Sequence, residues 1–270
     1  MPWTSIALND GNTMPTIAYG TWRTGSGQQP VDCLKQAFAT GIRHVDTAQN
    51  YKNETEAGIA IRECGLPRKD IFVTTKWSRL NGLDIATSFK DSLTNLGLSY
   101  IDLYLIHGAE LCDDIPACWK EMEKIKESGL AKSIGVSNFE VGDLDQLLAM
   151  AQYKPVVNQI LLHPYVYQEQ KSIVEMCERE DIVVEAYSPL IPVTKRPGGP
   201  LDKPVSIIAK RLGVPMDQVL LAWSRAKGAV PVTMSMKKER LEGYVRAGDL
   251  QLTEGDVAAI DEGGVGGHAL

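Results

Sequence analysis

Four polar residues of this chain stand where chemistry is expected. Asp46 ends the short run His44-Val45-Asp46, Lys76 closes Val73-Thr74-Thr75-Lys76-Trp77, and His107 closes Leu103-Tyr104-Leu105-Ile106-His107. Tyr51 lies in the polar segment between the first two, ahead of a helix expected to begin near Asn53. These types suit protonation of an alkoxide, which is what remains when a carbonyl carbon has accepted a hydride. A tyrosine hydroxyl can supply that proton, although its ordinary pKa is about 10. A neighbouring ammonium stabilises the tyrosinate and brings that pKa down, which is the part Lys76 would play. Asp46 would hold the lysine, because a buried ammonium without a partner is costly. His107 would donate a hydrogen bond to the carbonyl oxygen and orient it. Each residue alone has a plainer reading: half of an ion pair, a packing ring, a core histidine. Their arrival together at three successive strand ends favours catalysis.

Such a set needs a frame that gathers strand ends. Short apolar runs begin near Thr16, His44, Ile71, Ile101, Ser133, Val156, Val183 and Ala229, with helical patterns between them. Ile101 to Ile106 is almost continuously apolar, as a parallel strand covered on both faces should be. Ile85, Phe89, Leu93 and Leu96 share one helical face, as do Ile115, Trp119, Met122 and Ile125, and Val141, Leu144, Leu147, Leu148 and Ala151. Gly41, Gly65 and Gly129 follow three of these helices as C-terminal caps. Eight strands at this pitch predict an α/β fold, a (β/α)8 TIM barrel whose chemistry sits at the C-terminal strand ends. A doubly wound open sheet is the rival, since alternation alone does not decide closure. Thr4 to Met14, centred on Asn9-Asp10-Gly11-Asn12, reads as a β-hairpin ahead of the barrel. Ile191 to Pro204, with its prolines and glycines, is the longest non-periodic stretch and a candidate lid. The last helix is expected over Glu254 to Glu262, followed by a glycine-rich tail, and residues 1–270 read as one domain.

Gly25-Ser26-Gly27-Gln28-Gln29-Pro30 imitates a dinucleotide fingerprint, with Asp46 about twenty residues on. The third glycine of that fingerprint permits close helix–strand packing, and here it is a proline, so a plain loop is the better reading.

Bulk composition narrows the partners. A net charge of −6 argues against a nucleic-acid footprint or an anionic membrane surface. No apolar run approaches the length of a membrane span. Met1-Pro2-Trp3-Thr4-Ser5 has no basic stretch leading into an apolar one, so a secretory signal is not expected. The 5 cysteines are odd in number and lack CxxC spacing, which suggests reduced thiols in the cytoplasm and no metal site. The expected partner is a small molecule, and the chain is expected to act as a monomer.

Asp46-Thr47-Ala48-Gln49-Asn50-Tyr51-Lys52-Asn53-Glu54 resembles the first signature of the aldo-keto reductase family. The resemblance makes Asp46, Tyr51, Lys76 and His107 the catalytic tetrad of an NADP(H)-dependent carbonyl reductase. Ile134-Gly135-Val136-Ser137-Asn138-Phe139 resembles the second signature, which implies that Ser137, Asn138 and Gln159 bind the nicotinamide carboxamide. Tyr187 matches the residue that stacks on the nicotinamide, and Ser188 and Leu190 match pyrophosphate contacts. Gly20-Thr21-Trp22 is similar to the loop after strand one, placing Thr21 and Trp22 by the cofactor. Trp22, Trp77 and Gly108 are then expected around the substrate.

The third signature departs from the family. Val232 stands where the family has a lysine, two extra residues precede Arg240, and Tyr244 replaces an adenine-contacting asparagine. Thr233, Ser235, Lys237 and Arg240 are expected to meet the 2′-phosphate, Lys237 and Arg240 converging from one helix face. Pro192 removes a backbone donor near the pyrophosphate. Gly108-Ala109, where relatives carry an aromatic residue, and the short tail predict an open pocket suited to small, activated carbonyls. A cofactor-binding barrel used as a regulatory or scaffold subunit is the alternative reading, because fold alone never proves activity.

Overall fold

The computed structural model describes residues 3–267; the first two residues of the N-terminal reading and the last three of the tail lie outside it. Ser5–Ala7 (β1) and Thr13–Pro15 (β2) pair antiparallel, the predicted hairpin. Eight parallel strands follow: Ala18–Gly20 (β3), His44–Asp46 (β4), Phe72–Trp77 (β5), Ile101–Ile106 (β6), Ala131–Ser137 (β7), Val157–Leu161 (β8), Val183–Tyr187 (β9) and Val230–Thr233 (β10). They close in the order β10-β3-β4-β5-β6-β7-β8-β9, so the sheet is a barrel and the open-sheet alternative falls. Gly25 and Gly27 are loop residues at positive φ ahead of the first helix, with no Rossmann unit around them.

The helices are Gln28–Ala39 (α1), Glu54–Glu63 (α2), Ile85–Leu96 (α3), Ile115–Glu127 (α4), Val141–Leu148 (α5), Tyr167–Arg179 (α6), Ile191–Thr194 (α7), Asp202–Leu212 (α8), Met216–Ala226 (α9), Lys238–Arg246 (α10) and Glu254–Val265 (α11). Two apolar cores result. The larger fills the space between barrel and helices, with Phe89, Trp119, Leu144, Ile160 and Trp223 among its members. The smaller lies inside the barrel, where Leu103, Leu105, Val157 and Val230 meet Leu8 and Met14 of the hairpin segment. The hairpin therefore plugs the N-terminal end of the barrel. The same inward periodicity carries polar residues at the other end. His44, Asp46, Thr74, Lys76, Gln159 and Glu185 are all buried. Register explains their meeting, since Asp46 pairs with Thr74 and Gln159 with Glu185.

Three local expectations change. The stretch from Ile191 to Pro204 is only partly loop: Pro192 sits in the first turn of α7, where its missing N–H has no helical partner anyway. Asp202 then starts α8, its carboxylate accepting from the Gly198 N–H at 2.6 Å. The third helix face stops at Leu148, so Ala151 lies beyond α5. Finally, α11 runs through Gly263 and Gly264, which the sequence assigns to a tail. A Cβ at Gly264 would collide with the Pro164 carbonyl, so glycine is what lets this turn pack flat.

Candidate active site

Tyr51 ends a 3-10 turn, Gln49–Tyr51, between β4 and α2. Two neighbours anchor that turn. Asn53 donates to the Thr21 carbonyl at 2.8 Å and to Thr24 Oγ1 at 3.1 Å, while its own Oδ1 accepts from Thr21 and Thr47. Glu54, buried at the start of α2, accepts from Thr75 Oγ1 at 2.7 Å and from Asn95 at 3.2 Å. The Thr21 hydroxyl is thus held in this brace. The block around Tyr51 divides into one residue that faces Lys76 and several that fix its position.

Lys76 brings its charge to the same point from β5, with its side chain wholly enclosed. Nζ donates to Asp46 Oδ1 at 2.7 Å and Oδ2 at 2.8 Å, to the Thr47 carbonyl at 3.0 Å, and to Tyr51 Oη at 3.4 Å. An ammonium has only three protons. The tyrosine contact is the longest of the four. Burial works against the lysine charge, yet Asp46 and Tyr51 hold its pKa above the ordinary value. Tyr51 responds the other way from the expectation. Burial raises its pKa more than Lys76 lowers it, with Asp46 adding to the rise, so the net direction is upward. Lysine compensates for desolvation of the tyrosine without overturning it.

His107 follows β6 and packs edge-on against Tyr51, ring centroids 5.6 Å apart. Burial first, and Lys76 second, push its pKa down to about 3, so the imidazole is neutral. Its Nδ1 meets Ser78 Oγ at 2.8 Å. Ser78 lies one residue past β5, and no sequence pattern marks it.

The ends of β7, β8 and β9 continue this surface. Ser137 Oγ donates to the Gln159 carbonyl at 2.8 Å. Asn138, at φ +54°, donates to the His107 carbonyl at 3.0 Å and accepts from Tyr187 Oη at 3.0 Å. Gln159 Nε2 donates to Asp46 Oδ2 at 2.8 Å and to Glu185 Oε2 at 2.7 Å. Ser188 is at φ +56°, and Leu190 is buried as it enters α7. These residues adjoin Asp46, Tyr51, Lys76 and His107 on one barrel face.

Two of the three residues expected around the substrate are more enclosed than the sequence suggests. Trp22 is 50 % exposed, with the Arg23 guanidinium 4.1 Å above its ring. Trp77 is nearly enclosed, its Nε1 donating to the Leu83 carbonyl at 3.0 Å. Gly108 is buried because the Glu110 carboxylate folds back over it, into the space that a side chain there would take. A charge two residues along thus fills the gap that the glycine leaves.

The expected phosphate group of residues is partly dispersed. Thr233 and Ser235 are buried, and Ser235 Oγ accepts from the Lys237 N–H at 3.1 Å ahead of α10. Lys237 is exposed, whereas Arg240 turns to Asp217, with Nη2 at 2.9 Å and Nε at 3.1 Å from Oδ2. The two cations do not converge here, because a carboxylate on α9 takes one of them. Tyr244 is buried, with Arg240 5.6 Å from its ring centroid, so the asparagine position has become core.

The profile of the Aldo/keto reductase family matches residues 16–264. The chain belongs to the aldo-keto reductase family. It is therefore an oxidoreductase of carbonyl groups. It is 37 % identical to the NAD/NADP-dependent indole-3-acetaldehyde reductase of Schizosaccharomyces pombe, over 96 % of this chain and 94 % of that one. The glyoxal reductase of Bacillus subtilis is 35 % identical, over 95 % and 91 %. Among solved structures, the Bombyx mori aldo-keto reductase in complex with NADP superposes with TM-score 0.87 at 32 % identity, covering 99 % of this chain and 94 % of that one. A metagenomic aldo-keto reductase from the Medee basin gives TM-score 0.90 at 33 % identity, covering 98 % and 96 %. Among the described residues, no helix of this family member is long and apolar enough to cross a membrane.

Proposed function

We propose that this aldo-keto reductase reduces small aldehydes, ketones or dicarbonyls with NADPH, with Tyr51 as general acid. The observation that carries the reading is the buried Lys76, held bidentately by Asp46 and turned toward the Tyr51 hydroxyl. A scaffold barrel has no use for an enclosed charge aimed at a tyrosine. The bound dihydronicotinamide would supply the hydride to the carbonyl carbon. Tyr51, with its pKa raised by burial, stays protonated at neutral pH and keeps its proton for the developing alkoxide. Lys76 then lies beside the tyrosinate that remains. Neutral His107 serves as a hydrogen-bond donor to the carbonyl oxygen and not as an acid.

The residues present suit a nicotinamide dinucleotide. Gln159 Oε1 receives no donor from the described residues and offers an acceptor to a carboxamide, with Ser137 and Asn138 beside it. The half-buried Tyr187 ring offers a face for the nicotinamide, and the loop through Ser188 and Leu190 suits the pyrophosphate. Thr21 and Trp22 border the same face. Lys237, with Thr233, Ser235 and Arg240 near it, stands at the start of α10 for the 2′-phosphate. The names of the relatives, a glyoxal reductase and an indole-3-acetaldehyde reductase, support aldehydes and dicarbonyls as the substrate class. The enzyme works as a cytoplasmic monomer in this reading. A panel of 2-oxoaldehydes, 1,2-diketones and simple aldehydes, followed by the loss of NADPH absorbance, tests it. Turnover is expected, fastest on the activated dicarbonyls. NADPH binding without turnover of any carbonyl would favour the scaffold role instead.

A further inference from the structure

Glu185 takes no part in the chemistry above, yet it lies directly beneath it. It sits on β9 in register with Gln159 of β8, and its side chain is fully enclosed. Burial and the nearby Asp46 push its pKa up to about 8, so the barrel holds a carboxyl group where one is costly. The polar groups around it are His44 and Asp46 on β4, Lys76 on β5 and Gln159 on β8, while Val230 is its register partner on β10. His44 Nε2 stands 3.7 Å from Oε1 and accepts or donates at Thr74 Oγ1, 2.8 Å away. Burial lowers the His44 pKa to about 4, so the two groups face each other as neutral species. Among the described residues, the one close side-chain hydrogen bond of Glu185 is the 2.7 Å bond from Gln159.

That bond has a consequence for Gln159. Its amide nitrogen carries two protons, and Asp46 Oδ2 and Glu185 Oε2 take both of them. Turning the amide over would press Oε1 against the Asp46 carboxylate, so the orientation is set by charge. Without Glu185, the second proton would have no acceptor in the barrel, and the amide could rotate to present it outward. We propose that Glu185 is a positioning residue that, with Asp46, makes Gln159 acceptor-only toward the cofactor face, so that the site reads the N–H protons of a carboxamide. The proposal rests on the reading that Gln159 faces the nicotinamide.

Direct binding titrations by protein fluorescence test it without relying on turnover. E185Q keeps an acceptor at the same reach, whereas E185L removes it; E185M matches glutamate in length and serves if the leucine variant does not fold. NADPH is expected to bind E185L or E185M about tenfold more weakly than wild type, the loss typical of one hydrogen bond. E185Q should stay within about threefold. The discriminating probe is the reduced 3-acetylpyridine analogue of NADP, which has a methyl ketone in place of the carboxamide and no N–H to offer. Its affinity should be nearly the same for wild type, E185L and E185M. Equal weakening of NADPH and the analogue, or no weakening of either, overturns the positioning role. Q159A separates this from the underlying reading: if Q159A leaves NADPH binding unchanged, Gln159 does not face the nicotinamide at all. If Q159A weakens NADPH and E185L does not, the cofactor site stands and Glu185 has no part in it.

Discussion

Ser78 Oγ lies 2.8 Å from Nδ1 of His107, where its hydroxyl can donate to that nitrogen and favour one tautomer of the imidazole. A neutral imidazole has one donor and one acceptor nitrogen. When the serine hydroxyl donates to Nδ1, Nε2 keeps the proton and can polarise a carbonyl; in the other tautomer it cannot. Ser78→Ala should therefore lower kcat/KM about tenfold with little change in NADPH affinity, as loss of an orienting partner does. The loss should be the same across pH 5–8, roughly, because a histidine near pKa 3 does not titrate there. An inflection near the ordinary histidine pKa in wild type would mean that His107 reacts as a cation, and the tautomer argument would fail.

Tyr51→Phe keeps the ring against His107 and removes only the hydroxyl. Single-turnover reduction should slow by about 10²–10⁴, the usual contribution of a general acid. NADPH affinity should change by less than about threefold, since the hydroxyl's hydrogen bond is to Lys76 and not to the residues proposed for the cofactor. Retention of most of the single-turnover rate would acquit the tyrosine.

Four buried groups set the pH range of stability. Burial lowers His44 and His163 to about 4 and His107 to about 3, while burial and Asp46 raise Glu185 to about 8. In the unfolded chain the histidines titrate near 6.5 and glutamate near 4.3. As pH falls below about 6.5, the unfolded state takes up protons that the folded histidines refuse, so each histidine costs up to about 1.4 kcal/mol per pH unit. Glu185 acts in the opposite sense, its contribution diminishing from about pH 4.3 upward until the folded carboxyl ionises near 8. Three against one, the histidines win in acid. Chemical denaturation should show stability highest near about pH 6.5, steep loss toward 4.5 and a gentle fall toward 8. Glu185→Gln should flatten the alkaline side and steepen the acid side, because Glu185 opposes the histidines between about pH 4.3 and 6.5. A maximum that stays on the alkaline side of 8 would contradict these assignments.

Most of the frame is legible along the chain because parallel barrel strands are covered on both faces. Ile101–Ile106 is apolar at every position but Asp102 for that reason, and the glycines after the helices mark their ends by positive φ. Asp46, Tyr51, Lys76 and His107 are legible because each stands as a polar residue at the end of an apolar strand or just beyond it. Ser78, Glu185 and Glu110 carry no such mark. Glu185 looks like any strand glutamate until closure sets β9 against β8 and brings both toward Asp46 of β4. The net rise of the Tyr51 pKa was likewise beyond local reading, because it depends on how deeply the tyrosine is buried. Arg240 goes to Asp217 because α9 and α10 pack together, a pairing 23 positions apart that helical spacing within α10 cannot reveal.

The Glu110 carboxylate over Gly108 puts a negative charge beside the face proposed for the substrate. It lies near enough to Tyr187 to help burial raise that hydroxyl's pKa. Carbonyl substrates that carry their own carboxylate should be disfavoured relative to neutral ones of the same size. Glu110→Gln should raise kcat/KM for 2-oxo acids by about three- to tenfold at low salt, with little effect on neutral diketones, since exposed charges act weakly and are screened. An unchanged ratio between acid and neutral substrates would remove Glu110 from specificity.

Cofactor choice turns on whether Arg240 can serve both Asp217 and a 2′-phosphate. Its side chain is 40 % exposed and that of Asp217 13 %, so the guanidinium reaches solvent with the carboxylate behind it. A guanidinium has five donor protons, and Asp217 engages two of its nitrogens, leaving others for an anion. Lys237 stands exposed at the start of α10, where a helix N-terminus favours negative charge. Arg240→Ala should weaken NADPH about tenfold and NADH by less than about threefold, the loss of one charge-assisted contact discounted for exposure. Asp217→Asn should do the reverse: it keeps the shape, removes the competing charge, and tightens NADPH relative to NADH. Equal losses of both cofactors in Arg240→Ala, together with no gain in Asp217→Asn, would make the pair a brace between α9 and α10. The 2′-phosphate would then have to be met by Lys237 and the hydroxyls of Thr233 and Ser235 without it.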